Sequence, residues 1–421
     1  MPTAAEKILS RACGRAVAAG DIVHPVPDLV TLHDWYVTHA AAALDRFGVT
    51  EVQRPERVLV STDHEPVATS PAAVLRQAQA RQAAARFRFG MFHDVGREGL
   101  GHVFPVERGI LGPGMLAMGY DIHLTNFGAV GALGLYVLNE VTELLACGSV
   151  WTEVPETVRV TVRGSLAPGV TVRDAAQRFI AEADPQVLDD AVVEFAGPAM
   201  ATLGIDSRMT LMNTPVELGA RSALAEPDAV TEAYLRGRYR PGVEAARSDA
   251  DAGFRARLDL DLSAVEPQVA VPPRPECAVP VGEVAGQRID HAYIGSCASG
   301  FLDDLRLAAG LLRGRRVAPH VRLFVTPVTQ AVQAAAAREG LLEVFAGAGA
   351  IVTAPGCGIC AGGRIGGVGR GEVSIGTGTR NDPGRLGHPD AALYLAGPLT
   401  VAASAIAGEI CDPRQALGWP A

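Results

Sequence analysis

Downstream of residue 290, short apolar runs alternate with helical stretches, at 292–295, 302–312, 321–325, 329–339 and 350–353. Strands separated by helices run in the same direction, so this grammar specifies a parallel sheet covered by helices. In such sheets ligands bind beyond the carboxyl ends of the strands. Cys297 follows one predicted strand and Cys357 follows another, with Cys360 three residues on. Two strand ends of one sheet can therefore bring together thiols that are far apart in the chain.

The upstream sequence extends the same pattern. Residues 5–18 predict a helix ending at Gly20, 57–61 a buried strand running into Asp63-His64, and 72–86 an Ala- and Gln-rich helix. A Gly-dense stretch, 96–134, carries His102, Asp121 and His123, as expected where backbone approaches a ligand. Residues 157–163 alternate as a half-buried strand, and 173–182 and 187–196 read as further elements of a second α/β unit. Residues 247–257 predict a charged helix, and Pro267 to Pro275 a linker.

With 421 residues the chain is long enough for two to three domains. The expected boundaries are 1–155, carrying the His/Asp groups; 156–280, a second α/β unit and linker; and 281–421, carrying the cysteines. A net charge of -9 and the absence of a basic run argue against nucleic acid as a partner. Seven cysteines are too few for a disulfide framework, and the start lacks a secretory pattern. Apolar stretches such as 129–137 are too short to span a bilayer. The expected compartment is the cytoplasm.

Three thiolates can hold an iron–sulfur cluster and leave one iron open as a Lewis acid. Structural zinc, a redox dithiol and plain buried thiols compete for the same residues, although zinc usually takes four protein ligands. Asp63-His64 and Asp121-x-His123 pair a carboxylate with an imidazole, which fixes the tautomer and raises the basicity that acid–base chemistry needs. His102 and Glu217 can complete that network; each also reads as an ordinary structural side chain. Arg380 and Arg385, five apart on a Gly/Pro loop, can converge on one dicarboxylate or remain solvated.

Taken together, Ile294-Gly-Ser-Cys297, Gly356-Cys-Gly-Ile-Cys360, Asp63-His64, His102, Asp121-x-His123, Asn213…Glu217-x-Gly-Ala and Thr379-Arg-Asn381…Gly384-Arg385 resemble the aconitase superfamily. The resemblance is nearest to the large subunit of 3-isopropylmalate dehydratase and homoaconitase, and runs over nearly the whole chain. It implies an α/β fold of three α/β/α subdomains, with mainly parallel sheets around a central cluster cleft. It further implies a [4Fe-4S] cluster on Cys297, Cys357 and Cys360, with one iron unligated by protein. Asp63, His64, His102, Asp121, His123 and Glu217 would form the proton network. His33, Asp34, Ile122, Arg380 and Arg385 would line the substrate. The chain ends without the swivelling domain that supplies the family's catalytic serine, so a small-subunit partner is expected.

Several positions depart from the family pattern. The family's Asp-Ser-His is Asp121-Ile122-His123 here, Cys-Thr-Asn is Cys297-Ala298-Ser299, and Trp35-Tyr36 replace small residues after His33-Asp34. A site built to hydrogen-bond an OH loses much when the partner goes. The expected activity is a dehydration and rehydration of a 2-hydroxy di- or tricarboxylate or an analogue, in a specialised-metabolism relative. The alternatives are an ordinary 3-isopropylmalate dehydratase, a cluster-dependent lyase or decarboxylase, and a non-catalytic regulatory protein.

Overall fold

The computed structural model describes residues 1–239 and 242–418. The chain divides into two compact units: Met1–His64, Ala68–Val162 and Asp184–Asp259 form the first, and Glu65–Val67, Arg163–Ala183 and Leu260–Ala421 the second. The first unit holds a five-stranded sheet ordered Met91–His93, Val58–Ser61, Leu29–His33, Leu116–Gly119, Leu133–Tyr136. All its neighbours run parallel. Helices Asp34–Arg46 and Pro71–Arg86 make the first two crossovers. Every residue of strands Leu29–His33 and Val58–Ser61 is buried, the mark of a sheet covered on both faces.

Register then decides what meets at the sheet's carboxyl edge. His33 pairs with Ser61, so those two strands end level, and Gly119 pairs with Thr31, so the third ends two residues short of His33. His33 is the last residue of the middle strand, Asp63-His64 leaves the strand on one side, and Asp121 leaves the strand on the other. A second, four-stranded sheet runs Ser222–Ala225, Val192–Ala196, Thr157–Arg163, Ala256–Asp261.

The second unit carries a seven-stranded sheet ordered Ala278–Pro280, Gln268–Ala270, Ala392–Ala396, Val373–Gly376, His291–Ile294, Arg322–Val325, Ile351–Val352. Its last five strands are parallel, as the alternating sequence requires. Helix Leu302–Leu312 falls where its apolar spacing puts it; Asp304 accepts from the Phe301 N–H at 3.2 Å and from the Ser299 hydroxyl at 3.0 Å, fixing its first turn.

Three expectations are corrected. The first helix spans Ala4–Cys13 and not 5–18, because Gly14 adopts φ +67° and ends it. Residues 247–255 are not helical: the Arg255 N–H bonds the Thr157 carbonyl at 2.9 Å, and strand Ala256–Asp261 follows at the sheet edge. The stretch from Pro267 to Pro275 is no linker. Gln268–Ala270 is a fully buried strand, antiparallel to both Ala278–Pro280 and Ala392–Ala396.

Arg208 anchors the first unit. It is wholly buried, donates twice to Asp228 (3.0 and 2.6 Å), and also bonds Thr231 and the carbonyls of Leu203 and Met200. Asp228 in turn caps helix Ala229–Leu235. Replacing Arg208 by methionine leaves a carboxylate without its counter-charge and two carbonyls without donors. The expected loss is about 3–5 kcal/mol of stability, read as a lower urea midpoint; an unchanged midpoint would contradict it. Among the described residues, no helix is long and apolar enough to cross a membrane.

Candidate active site

At the carboxyl edge of the five-stranded sheet, Asp63 is fully buried and its Oδ1 lies 2.8 Å from Nδ1 of His64. Its other oxygen accepts from the Gly101 N–H at 2.6 Å and the Ser61 hydroxyl at 3.1 Å. Asp34 Oδ1 accepts from the His64 N–H at 3.1 Å. Burial would raise the Asp63 carboxyl, but the charge and hydrogen bond of His64 hold it down to about 2. Burial would lower His64, but Asp63, then Asp34 and Asp121, raise it to about 9. The pair is therefore ionic at neutral pH.

His33 stacks on His64, ring centres 3.7 Å apart. Burial, then the His64 charge, keep His33 well below the usual imidazole range, so a neutral ring lies on a charged one. Among the described residues neither ring nitrogen of His33 has a hydrogen-bond partner; Asp34 stands 4.0 Å from Nδ1 and Asp121 3.7 Å from Nε2. One ligand atom each from His33, Asp34, Asp63 and His64 lie within 4.8 Å of one another. A lone cation there would have to displace the proton of His64, since protonated imidazole offers no lone pair.

Asp121 is the hub. Its Oδ1 lies 3.6 Å from His102 Nε2 and 3.1 Å from His123 Nδ1, and accepts from the His123 N–H at 2.8 Å. Its Oδ2 stands 3.9 Å from His64 Nε2. Burial opposes ionisation, yet the charges of His102 and His123 and the His123 bond keep the carboxyl well below the carboxylate range. His123 Nε2 reaches Glu217 Oε1 at 2.8 Å. Asp121 has φ +153°, a backbone state that costs a non-glycine residue about 1–3 kcal/mol. All six proton-network residues named from sequence thus meet in the first unit, with His33 and Asp34 beside them. Ile122 opens the 3-10 helix that follows Asp121 and is half-buried. The Trp35 ring centre lies 5.0 Å from that of His64.

In the second unit Cys297 lies beyond strand His291–Ile294 and Cys357 beyond Ile351–Val352, both at the carboxyl ends of parallel strands. All three cysteines are buried, and none is in a disulfide. Ser296, at φ +78°, turns the chain into Cys297; its hydroxyl donates to the Thr377 carbonyl at 2.9 Å. Gly358, at φ +60°, lets the 357–360 turn press on Thr326: a Cβ there would come within 2.5 Å of Thr326 Oγ1. The Tyr293 hydroxyl donates to the Cys357 carbonyl at 2.9 Å.

The thiols feel one another. A hydrogen bond with Cys360, burial, and the Cys360 and Cys297 charges push Cys357 up. The bond from Cys357 pulls Cys360 well down against burial, helped by Arg385 and Thr379. Cys360 Sγ lies 3.8 Å from Arg385 Nη2 and 3.6 Å from Thr379 Oγ1. The arginine loop is therefore asymmetric: Arg385 reaches the thiol, while Arg380 sits half-buried earlier in the loop. Three buried thiols, one biased toward thiolate, suit an iron–sulfur cluster; structural zinc ordinarily takes a fourth protein ligand.

Sequence reading passed over Ser61, Tyr293, Thr326, Thr377, Glu65 and Arg364. Each is a common residue type in no motif, and only the fold shows what it touches.

A model of the aconitase family (aconitate hydratase) matches residues 6–287 and 283–408. The chain is 38% identical over 416 residues to 3-isopropylmalate dehydratase large subunit 1 of Methanopyrus kandleri, covering 99% of each. It is 38% identical over 419 residues to the 3-isopropylmalate dehydratase large subunit of Moorella thermoacetica (98% of this chain, 99% of the relative). It is 37% identical over 417 residues to large subunit 1 of Pyrococcus furiosus, covering 98% of each. Among solved structures, holo aconitase X of Thermococcus kodakaraensis superposes with a TM-score of 0.50 at 14% identity, covering 85% of this chain and 84% of that one, a likeness of fold alone.

The chain belongs to the aconitase family. It is a hydro-lyase, similar along its length to the large subunits of 3-isopropylmalate dehydratases. Membership implies an iron–sulfur cluster, and the buried thiols fit one.

Proposed function

We propose that this chain is the large subunit of a [4Fe-4S]-dependent hydro-lyase or isomerase acting on a 2-hydroxy di- or tricarboxylate, or a close analogue, in a specialised-metabolism branch of its family. The observation that carries the reading is the trio of buried, mutually interacting thiols Cys297, Cys357 and Cys360. When bound, the cluster supplies a Lewis-acidic iron that polarises the substrate's C–O bond.

The remaining chemistry falls to side chains. Charged His64, oriented at Nδ1 by Asp63, gives its Nε2 proton to the departing hydroxyl, which leaves as water. Asp121, held ionised by its histidines, keeps His102 and His123 oriented, and Glu217 fixes the far nitrogen of His123. Neutral His33, its ring nitrogens without hydrogen bonds, binds a substrate oxygen beside Asp34. Arg380 and Arg385 hold the distal carboxylate by forked hydrogen bonds. The proton leaving carbon goes to a base on a separate small subunit, a partner in line with the large-subunit names of the relatives. The compartment is the cytoplasm.

Ile122, Ala298 and Trp35 favour a substrate other than 3-isopropylmalate. The near full-length identity to 3-isopropylmalate dehydratases favours the ordinary leucine-pathway reaction as the second reading. The test is anaerobic reconstitution with a candidate small subunit, followed by a screen of hydroxy-diacids. Weak turnover of isopropylmalate is expected, and Ile122→Ser is expected to raise its kcat/KM at least about tenfold, about 1.4 kcal/mol. Efficient isopropylmalate turnover by the unaltered chain would establish the second reading instead.

A further inference from the structure

The chain enters the second unit for only three residues, Glu65–Val67, directly after His64. Glu65 is 3% exposed, so its carboxylate has lost nearly all its water and needs a counter-charge. Arg364 Nη1 donates to Glu65 Oε1. Arg364 stands four residues after Cys360, and between them lie only Ala361, Gly362 and Gly363. It therefore carries the first polar side chain after that thiol.

Backbone bonds tie the ends of this segment, the Gly362 N–H to the Cys360 carbonyl at 3.0 Å and the Val368 N–H to the Leu386 carbonyl at 2.9 Å, and Arg364 ties its middle through a side chain. Gly362, Gly363 and Gly366 all adopt positive φ, at +72°, +65° and +73°. Glycines in that state have the most conformational freedom to lose on ordering. The Gly363 N–H reaches the Ile359 carbonyl at 2.8 Å, and a Cβ on Gly363 would come within 2.3 Å of the Leu386 carbonyl oxygen. The backbone is thus threaded through a tight place, with a charged side chain tied down immediately beyond it.

We propose that the Glu65–Arg364 ion pair is a clamp on the segment after Cys360: it keeps the Cys360 thiol turned inward and slows release of a bound cluster. Arg364 and Glu65 are positioning residues. The second half of the statement rests on the cluster reading under the proposed function; the first half does not, and is measurable on metal-free protein.

The two partners are not equivalent. Removing Arg364 takes a counter-charge from a carboxylate whose side chain is only 4% exposed, whereas removing the charge of Glu65 leaves a guanidinium that is 39% exposed and can be solvated. Arg364→Met is therefore the harsher change, Glu65→Gln the milder, and Arg364→Lys keeps the charge without the fork.

The experiment is anaerobic alkylation of the full-length, metal-free protein with iodoacetamide, followed by peptide mass spectrometry. Exposed Cys147 serves as internal reference. Arg364→Met is expected to speed modification of Cys360 at least about tenfold relative to Cys147, as local opening does, and Arg364→Lys less. The double variant Glu65→Gln/Arg364→Met removes the buried negative charge as well, so its thermal midpoint should return toward the unaltered protein while Cys360 stays reactive. A merely structural pair would restore both together. Unchanged Cys360 reactivity in folded Arg364→Met, or protection regained in the double variant, overturns the clamp. On reconstituted protein, the same variants should lose cluster absorbance to a chelator faster by a similar factor. If no variant, nor the unaltered protein, takes up a cluster, the cluster reading fails while the alkylation result still decides the clamp.

Discussion

Replacing Cys360 by serine is expected to abolish cluster uptake and turnover together. Of the three thiols, Cys360 is the one whose surroundings most favour the thiolate. It receives the bond from Cys357, and Arg385 and Thr379 stand on its other side. A thiolate is the form that binds metal, so these neighbours favour Cys360 as a ligand. A serine hydroxyl keeps its proton under the same conditions and offers a hard, weak donor. The expected loss in kcat/KM is at least about a thousandfold, about 4 kcal/mol. Cys147→Ser, at an exposed position, should change neither quantity. Cluster uptake by Cys360→Ser equal to that of the unaltered chain would remove Cys360 from the ligand set.

Asp63→Asn has the next largest expected effect, through its neighbour. With the carboxylate gone, His64 loses the main influence that raises it to about 9, and burial pulls it back toward or below the ordinary imidazole value near 6.5. In the unaltered protein His64 is charged up to about pH 9. In the variant the charged form would disappear on raising the pH through about 6.5. The alkaline limb of the kcat–pH profile should therefore move down by about two units or more, with kcat at neutral pH lower by about 10²–10⁴-fold. The stability linkage has the same origin. His64 is raised, so its share of stability is full below about 6.5 and lost as pH rises through about 9. Asp63 is depressed, so its share is present above about 4 and lost as pH falls through about 2. These are two views of one pair, strongest between those limits. An alkaline limb that stays put in Asp63→Asn, with the protein folded, would show that His64 is not the acid.

Much of this was legible in the sequence because local chemistry and global fold agree. Helix Leu302–Leu312 and strand Thr157–Arg163 carry enough residues for their periodicity to declare itself. Asp63-His64 and Asp121-x-His123 announce themselves because partners two residues apart or fewer need no fold to meet. Gln268–Ala270 did not, since three residues between prolines show no period, and only pairing on both sides makes them a strand. Residues 247–255 misled because charged residues at helical spacing mimic a helix, whereas Asp249, Asp251 and Gly253 favour turns and Arg255 feeds a strand edge. The meeting of Glu65 with Arg364, 299 residues apart, has no local signature at all. The same holds for Tyr293, whose hydroxyl supports Cys357 from a strand centre.

The metal site is the centre of the proposed chemistry. The direct measurement is iron and acid-labile sulfide per chain after anaerobic reconstitution, on the unaltered protein and Cys360→Ser side by side. About four iron and about four sulfide are expected in the first, and little of either in the second. Zinc without sulfide in the unaltered protein, or equal iron and sulfide in both, would contradict it.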